Sequence, residues 1–100
     1  MKIHGNSNDS MKNQHLYAIL DRQEEDVFKY GISEDEIEED GSSKRVRDQV
    51  LFLNRAVGWF RYFAIILMTK IGGKRKARQV EDDHVERYKI RNGRKPRGNL

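Results

Sequence analysis

Between Trp59 and Met68 the chain reads WFRYFAIILM, its most apolar stretch and the one that most restricts the fold. Aromatic and β-branched residues dominate it, which favours a strand. Apolar residues at consecutive positions predict cover on both faces, as in a central strand. A buried helix is the competing reading. The stretch is too short to cross a bilayer, which takes ~18 or more apolar residues in a row. No such run occurs elsewhere, so no membrane partner is expected. In a chain of 100 residues the core around this segment must be small, because a domain of this size buries only roughly 60–65% of its unfolded surface. Four Phe, four Tyr and one Trp supply that core and keep a chain with 36% charged residues out of the disordered class. The absence of cysteine excludes a disulfide framework, thiolate zinc sites and thiol nucleophiles. The polar start, Met1 to Ser10, carries no secretory signal pattern.

The rest of the chain divides around that strand. Residues 1–14 are turn-rich and poor in apolar residues, and read as a flexible N-terminal arm; residues 15–100 form the domain. Two strand-like runs, His15–Leu20 and Val27–Ser33, are joined by the polar segment Asp21–Asp26 as a hairpin. In the first run Leu16, Ala18 and Leu20 share a core face, and His15, Tyr17 and Ile19 a mixed one. Glu34–Asp40 (EDEIEED) reads as a solvated acidic loop. Ser42 or Ser43 caps a helix from about Lys44, in which Val46, Val50, Leu53 and Val57 make an apolar stripe. Arg45 and Gln49 lie on one flank of that stripe, and Gly58 ends the helix. After the apolar strand and Gly72-Gly73, helical spacing returns at Ala77, Val80, Val85 and Tyr88, with Asn92-Gly93 as a stop. The pattern predicts an α+β fold: a small three-stranded, mainly antiparallel sheet in the order β-β-α-β-α, flanked by helices.

Charge is distributed unevenly. Residues 1–40 hold four Lys/Arg against eleven Asp/Glu, net −7, while residues 41–100 hold sixteen against five, net +11. A basic part of this strength points to a polyanion, most commonly nucleic acid. Lys70, Lys74, Arg75, Lys76 and Arg78, with Arg97 in the basic tail, are the candidate contacts to a phosphate backbone. A metal-dependent phosphodiesterase would need a carboxylate for a hard divalent ion, a guanidinium to offset charge growing on phosphorus, and a group to orient or deprotonate water. Glu81, Arg45 and Tyr17 supply these three chemical types from three different elements.

The paired runs HLYAIL (15–20) and VFKYGIS (27–33), followed by KRVRDQV, ARQVEDDHVERY and GRKPRGN, resemble in order the motifs of the GIY-YIG nuclease family. The entry IHGNSNDS with HLYAI, KYGIS and PRGN resembles more closely the GIY-YIG-type domains at the C-termini of bacterial polymorphic toxins. Each tyrosine motif is weak alone; four elements in order are specific. The resemblance implies a metal-dependent endonuclease, acting on DNA by preference and on RNA as the alternative. Delivered from a producer cell, it would act in the cytoplasm of a target cell and be neutralised by an acidic cognate immunity protein.

On that resemblance Tyr17 acts as, or helps position, the general base for the attacking water. Tyr30 and Gly31 match the second motif, Tyr30 near the nucleophile and Gly31 allowing close backbone approach. Arg45 contacts the scissile phosphate, with Arg47 as its competitor. Glu81 is the only carboxylate ligand of a divalent ion, Mg²⁺ with Mn²⁺ as the alternative, and Asn99 buttresses the site. The departures are His-Leu-Tyr in the first motif and Lys29-Tyr30-Gly31 in the second. Gln49 stands where some relatives carry a histidine, so His15, Lys29 and Gln49 are auxiliary candidates. His84, one turn beyond Glu81, completes a single Glu-x-x-His and reads as a packing residue. The rival from another class is a binding module without catalysis, which would not need Tyr17, Arg45, Glu81 and Asn99 together.

Overall fold

The computed structural model describes residues 10–99. Its elements follow the expected order: β1 (Asn13–Asp21), β2 (Asp26–Ser33), α1 (Lys44–Val57), β3 (Tyr62–Gly72) and α2 (Lys74–Asn92). The sheet is antiparallel throughout, with strand order β2-β1-β3. The apolar run therefore forms an edge strand and not the expected central one. Ile65, Leu67 and Met68 of β3 are about two-fifths exposed, and Trp59 and Phe60 lie before the strand on the surface. The central strand is β1, whose residues Gln14–Ile19 are all buried. Its polar members obscured this in the sequence, because Gln14, His15 and Tyr17 are buried with hydrogen-bond partners instead of facing water.

One helix covers each face of the sheet. On the first face Tyr17, Ile19 and Tyr62 pack with Val46, Val50 and Leu53 of α1. On the second, Leu16 and Ile71 pack with Ala77 and Val80, and Ala18 and Tyr30 with Val85 and Tyr88, all four helix residues belonging to α2. Both sets of alternate β1 residues are thus core, which corrects the expectation of a mixed face. Both helices close on a left-handed glycine, Gly58 at φ 81° and Gly93 at φ 76°, a conformation that costs glycine nothing.

The acidic loop is exposed, as expected, and its carboxylates also find partners in α1. Asp35 Oδ2 accepts the backbone N–H of Arg45 at 3.0 Å, satisfying a donor in the first turn of α1. Ser43 holds the N-cap position, but its hydroxyl pairs with His15 and makes no cap bond. Glu38 and Asp40 bind the Arg47 guanidinium at 2.8 and 3.2 Å. Residues 10–14 likewise belong to the folded body and not to an arm over 1–14. Ser10 is buried, its carbonyl accepts from Lys74 N–H at 2.9 Å, and its hydroxyl donates to Glu34 at 3.1 Å. Residues 1–9 of the expected arm lie outside the described residues.

The tail after α2 returns to the outer edge of β2. Gly98 N–H donates to the Phe28 carbonyl at 2.7 Å. The Asn99 carboxamide accepts from Tyr30 N–H and donates to Tyr30 C=O, both at 2.8 Å, as a neighbouring strand would. Arg97 and Arg94 fasten the same tail to Asp21 and Asp26.

Candidate active site

Register places the site. Tyr17 of β1 sits opposite Gly31 of β2 on the face toward α1. Its ring crosses β2 where Gly31 has no side chain: a Cβ there would lie 2.4 Å from the Tyr17 ring and hydroxyl. The glycine is required for this approach, and its backbone needs no unusual φ. The tyrosine thereby reaches a cleft of about 430 Å³ lined by Tyr17, Lys29, Gly31, Arg45, Lys74, Arg78 and Glu81, with Glu34 and Asp35 also on its wall.

Three helix positions bring charge to the cleft by simple periodicity. Lys74, Arg78 and Glu81 stand at i, i+4 and i+7 of α2, so one helix face carries all three. The carboxylates differ in what already holds them. Glu34 accepts from Ser10 and Gln14, and Asp35 from the start of α1. Glu81 is half-buried, and the charges of Arg78, Asp82, Lys29 and Arg45 act on it. Burial raises its carboxyl above the usual range, opposed by the nearby Arg78, Lys29 and Arg45. Burial also raises the Tyr17 phenol, against hydrogen bonds from Gln49 and Arg45, while Glu81 adds to the rise. Lys29 is lowered, again chiefly by burial and then by Arg45.

Gln49 binds two site residues at once. It donates to the Tyr17 hydroxyl at 2.7 Å and accepts from Lys29 Nζ at 3.2 Å. Glu81 suits a hard divalent ion, since Mg²⁺ takes one or two carboxylates and keeps several waters. Among the described residues no three His, Asp or Glu side chains converge. Glu81 could give such an ion one carboxylate ligand, and its remaining positions would then be open to solvent and phosphate.

Several expected residues lie elsewhere. Tyr30 pairs with Ala18 and faces α2, buried against Tyr88 with its ring 5.4 Å from that of His84. The residue before Gly31 points away from Tyr17, and Lys29, two before it, takes the place on the cleft. His15 is buried and bonded to Ser43 at 3.0 Å, and it does not line the cleft. Asn99 acts through the Tyr30 backbone, which holds the strand carrying Lys29 and Gly31. The basic candidates line different depressions. Lys74 and Arg78 reach the cleft, Arg75 and Lys76 line a separate depression beside Ser10, Lys70 borders the groove of His15, and Arg97 is tied to Asp21. Arg47 is held by the acidic loop, which leaves Arg45 as the arginine of α1 at the site. Gln14 and Ser33 also line the cleft, with no motif to announce them.

An antiparallel three-stranded sheet with one helix per face, and a basic cleft at its edge, is the frame in which the family comparison falls. The chain belongs to the URI fold toxin 2 family (Tox-URI2), whose model matches residues 7–93. It is a toxin domain, and the match spans every strand and both helices. No curated protein and no solved structure matched the chain. No described helix is long and apolar enough to cross a membrane.

Proposed function

We propose that this toxin domain is a metal-dependent endonuclease of the GIY-YIG type, hydrolysing phosphodiester bonds with DNA preferred over RNA. One observation carries the reading: Tyr17, Lys29, Arg45 and Glu81, from four elements, meet in a single cleft. A surface that only bound phosphate would gain nothing from a half-buried carboxylate among its cations, because that carboxylate repels the ligand. A hydrolytic site needs one, to hold an ion.

Arg45, beside Lys74 and Arg78, is placed to hold the scissile phosphate and to offset charge as it grows in the transition state. Tyr17 orients the attacking water. It is a phenol at neutral pH, its pKa raised further by burial, and the donors Gln49 and Arg45 ease the loss of its proton as the reaction proceeds. Glu81 would hold Mg²⁺, or Mn²⁺, and such an ion supplies Lewis acidity and acidifies a water. Delivered from its producer, the domain acts in the cytoplasm of a target cell, and a cognate immunity protein protects the producer. The cations of the cleft call for an acidic inhibitor, and Glu34 and Asp35 on the wall restrict where its carboxylates can sit.

The test is incubation of the purified chain with plasmid, linear duplex and total RNA, with Mg²⁺ and with chelator. Cleavage of either DNA that stops with chelator is expected. Cleavage of RNA alone would reassign the substrate, and binding without cleavage in any arm would favour a module without catalysis.

A further inference from the structure

The two hydrogen bonds at Gln49 differ in how much freedom each partner has. A carboxamide can turn either its oxygen or its NH₂ toward a hydroxyl, and a hydroxyl can meet either. An ammonium has donors only, so it can meet only the oxygen. Lys29 Nζ lies 3.2 Å from Gln49 Oε1, and Gln49 Nε2 lies 2.7 Å from the Tyr17 hydroxyl. The cation on β2 therefore decides which end of Gln49 faces Tyr17. We propose that Lys29 is a positioning residue: by holding the Gln49 carbonyl it turns the NH₂ to Tyr17, so that the hydroxyl oxygen accepts within the protein and its own proton points to the cleft.

The surroundings agree with this direction. Tyr17 is 1% exposed, so its hydroxyl has few alternatives to these partners. Arg45, which lines the same cleft from α1, is also purely a donor. From α2 the facing charges are Glu81, Arg78 and Lys74, and from β1 the neighbour is His15, its ring 6.4 Å away. Glu34 and Asp35 are occupied by Gln14 and by the α1 backbone. Gln49 cannot take up a proton, so the chain from Lys29 conveys orientation and polarity, not a proton. Replacing the amide by a carboxylate would reverse the Tyr17 bond, since a carboxylate can only accept.

The consequence for turnover rests on the nuclease reading, whereas the orientation of the Tyr17 proton belongs to the resting protein and is measured there. The experiment is a pH titration of ¹³Cζ-labelled tyrosine by NMR on the full chain, with the Tyr17 signal assigned by its absence in Tyr17→Phe. Gln49→Glu is expected to move the Tyr17 titration upward by about one pH unit or more, the size of a single charge contact. Lys29→Met is expected to move it the same way by a smaller amount, and Lys29→Arg to restore it. In cleavage, Lys29→Met should lower kcat and leave KM nearly unchanged. If Lys29→Met does not fold, Lys29→Gln, which lets the Gln49 amide turn either way, serves in its place. A Tyr17 titration unmoved by both Gln49→Glu and the neutral Lys29 variant, in folded protein, overturns the proposal. A titration that moves as expected while no variant and no wild-type chain cleaves would uphold it and sink the nuclease reading.

Discussion

Tyr17 and Tyr30 sit on neighbouring strands one rung apart, and both are buried, yet they face opposite helices. Toward α1, the Tyr17 hydroxyl meets the amide of Gln49, which is itself held by Lys29, and it opens on a cleft through the gap at Gly31. Toward α2, the Tyr30 ring packs on Tyr88 and near His84, and the charge on that face is already paired: Asp26 takes the Tyr88 hydroxyl at 2.7–2.8 Å and Arg94 at 3.0 Å. The depth of a tyrosine does not mark it for chemistry. On the nuclease reading, what marks it is a hydroxyl whose partners are donors and whose proton can face the cleft.

The sharpest break between the faces lies at Glu81, where α2 lends a carboxylate to the α1 side. Glu81→Ala is expected to reduce cleavage by about a thousandfold or more, some 4 kcal/mol of transition-state stabilisation, with the thermal melt unchanged. Wild-type cleavage in that variant would move the ion to another carboxylate. Next comes the tyrosine pair itself. Tyr17→Phe should cost roughly 10²-fold or more in kcat, while Tyr30→Phe leaves kcat within about twofold; equal losses would erase the distinction between the faces. Gly31→Ala strikes the gap between Tyr17 and the cleft. Its Cβ would fall on the Tyr17 ring, so a loss of about 1–3 kcal/mol in denaturant unfolding is expected, together with lost cleavage. Unchanged stability would mean the ring moves aside freely.

The smallest expected effect is a pH dependence. Burial lowers the His15 pKa from 6.5, only partly offset by Asp35, so the folded chain favours the neutral ring. Stability from this group is therefore complete above about pH 6.5 and declines as pH falls below it, because the unfolded chain binds the proton more readily. Melts from pH 8 to 5.5 should show the decline, reduced in His15→Gln, which keeps a partner for Ser43. A melt that rises over this range in proportion to His15 would reverse the sign.

The element order, the span of α1 and the closing glycines were legible because apolar spacing and turn residues are local signals. Tyr17, Gly31, Arg45 and Glu81, singled out by a resemblance in motif order, line one cleft. The sequence also held unused information: alternation along β2 sets Lys29, not Tyr30, beside Tyr17, and helical spacing joins Lys74 and Arg78 to Glu81 while sending Arg75 and Lys76 elsewhere. Other features had no local signal. The edge position of β3 depends on which strands pair, and the buried polar residues of β1 look exposed until their partners are known. The acidic loop binds α1 through Asp35, Glu38 and Asp40, contacts that net charge alone does not reveal.

The tail clasp on β2 sets a timetable for the site. Asn99 meets Tyr30 across 69 positions of sequence, while Tyr17, Lys29 and Gln49 span far less. A chain leaving the ribosome N-terminus first can bring its tyrosine, lysine and glutamine together before Glu81 and the clasp have been made. On the nuclease reading, synthesis itself then acts as a safety interval: the chain becomes dangerous to its maker only once the segment carrying Glu81 and Asn99 has been made, when an inhibitor must already be waiting.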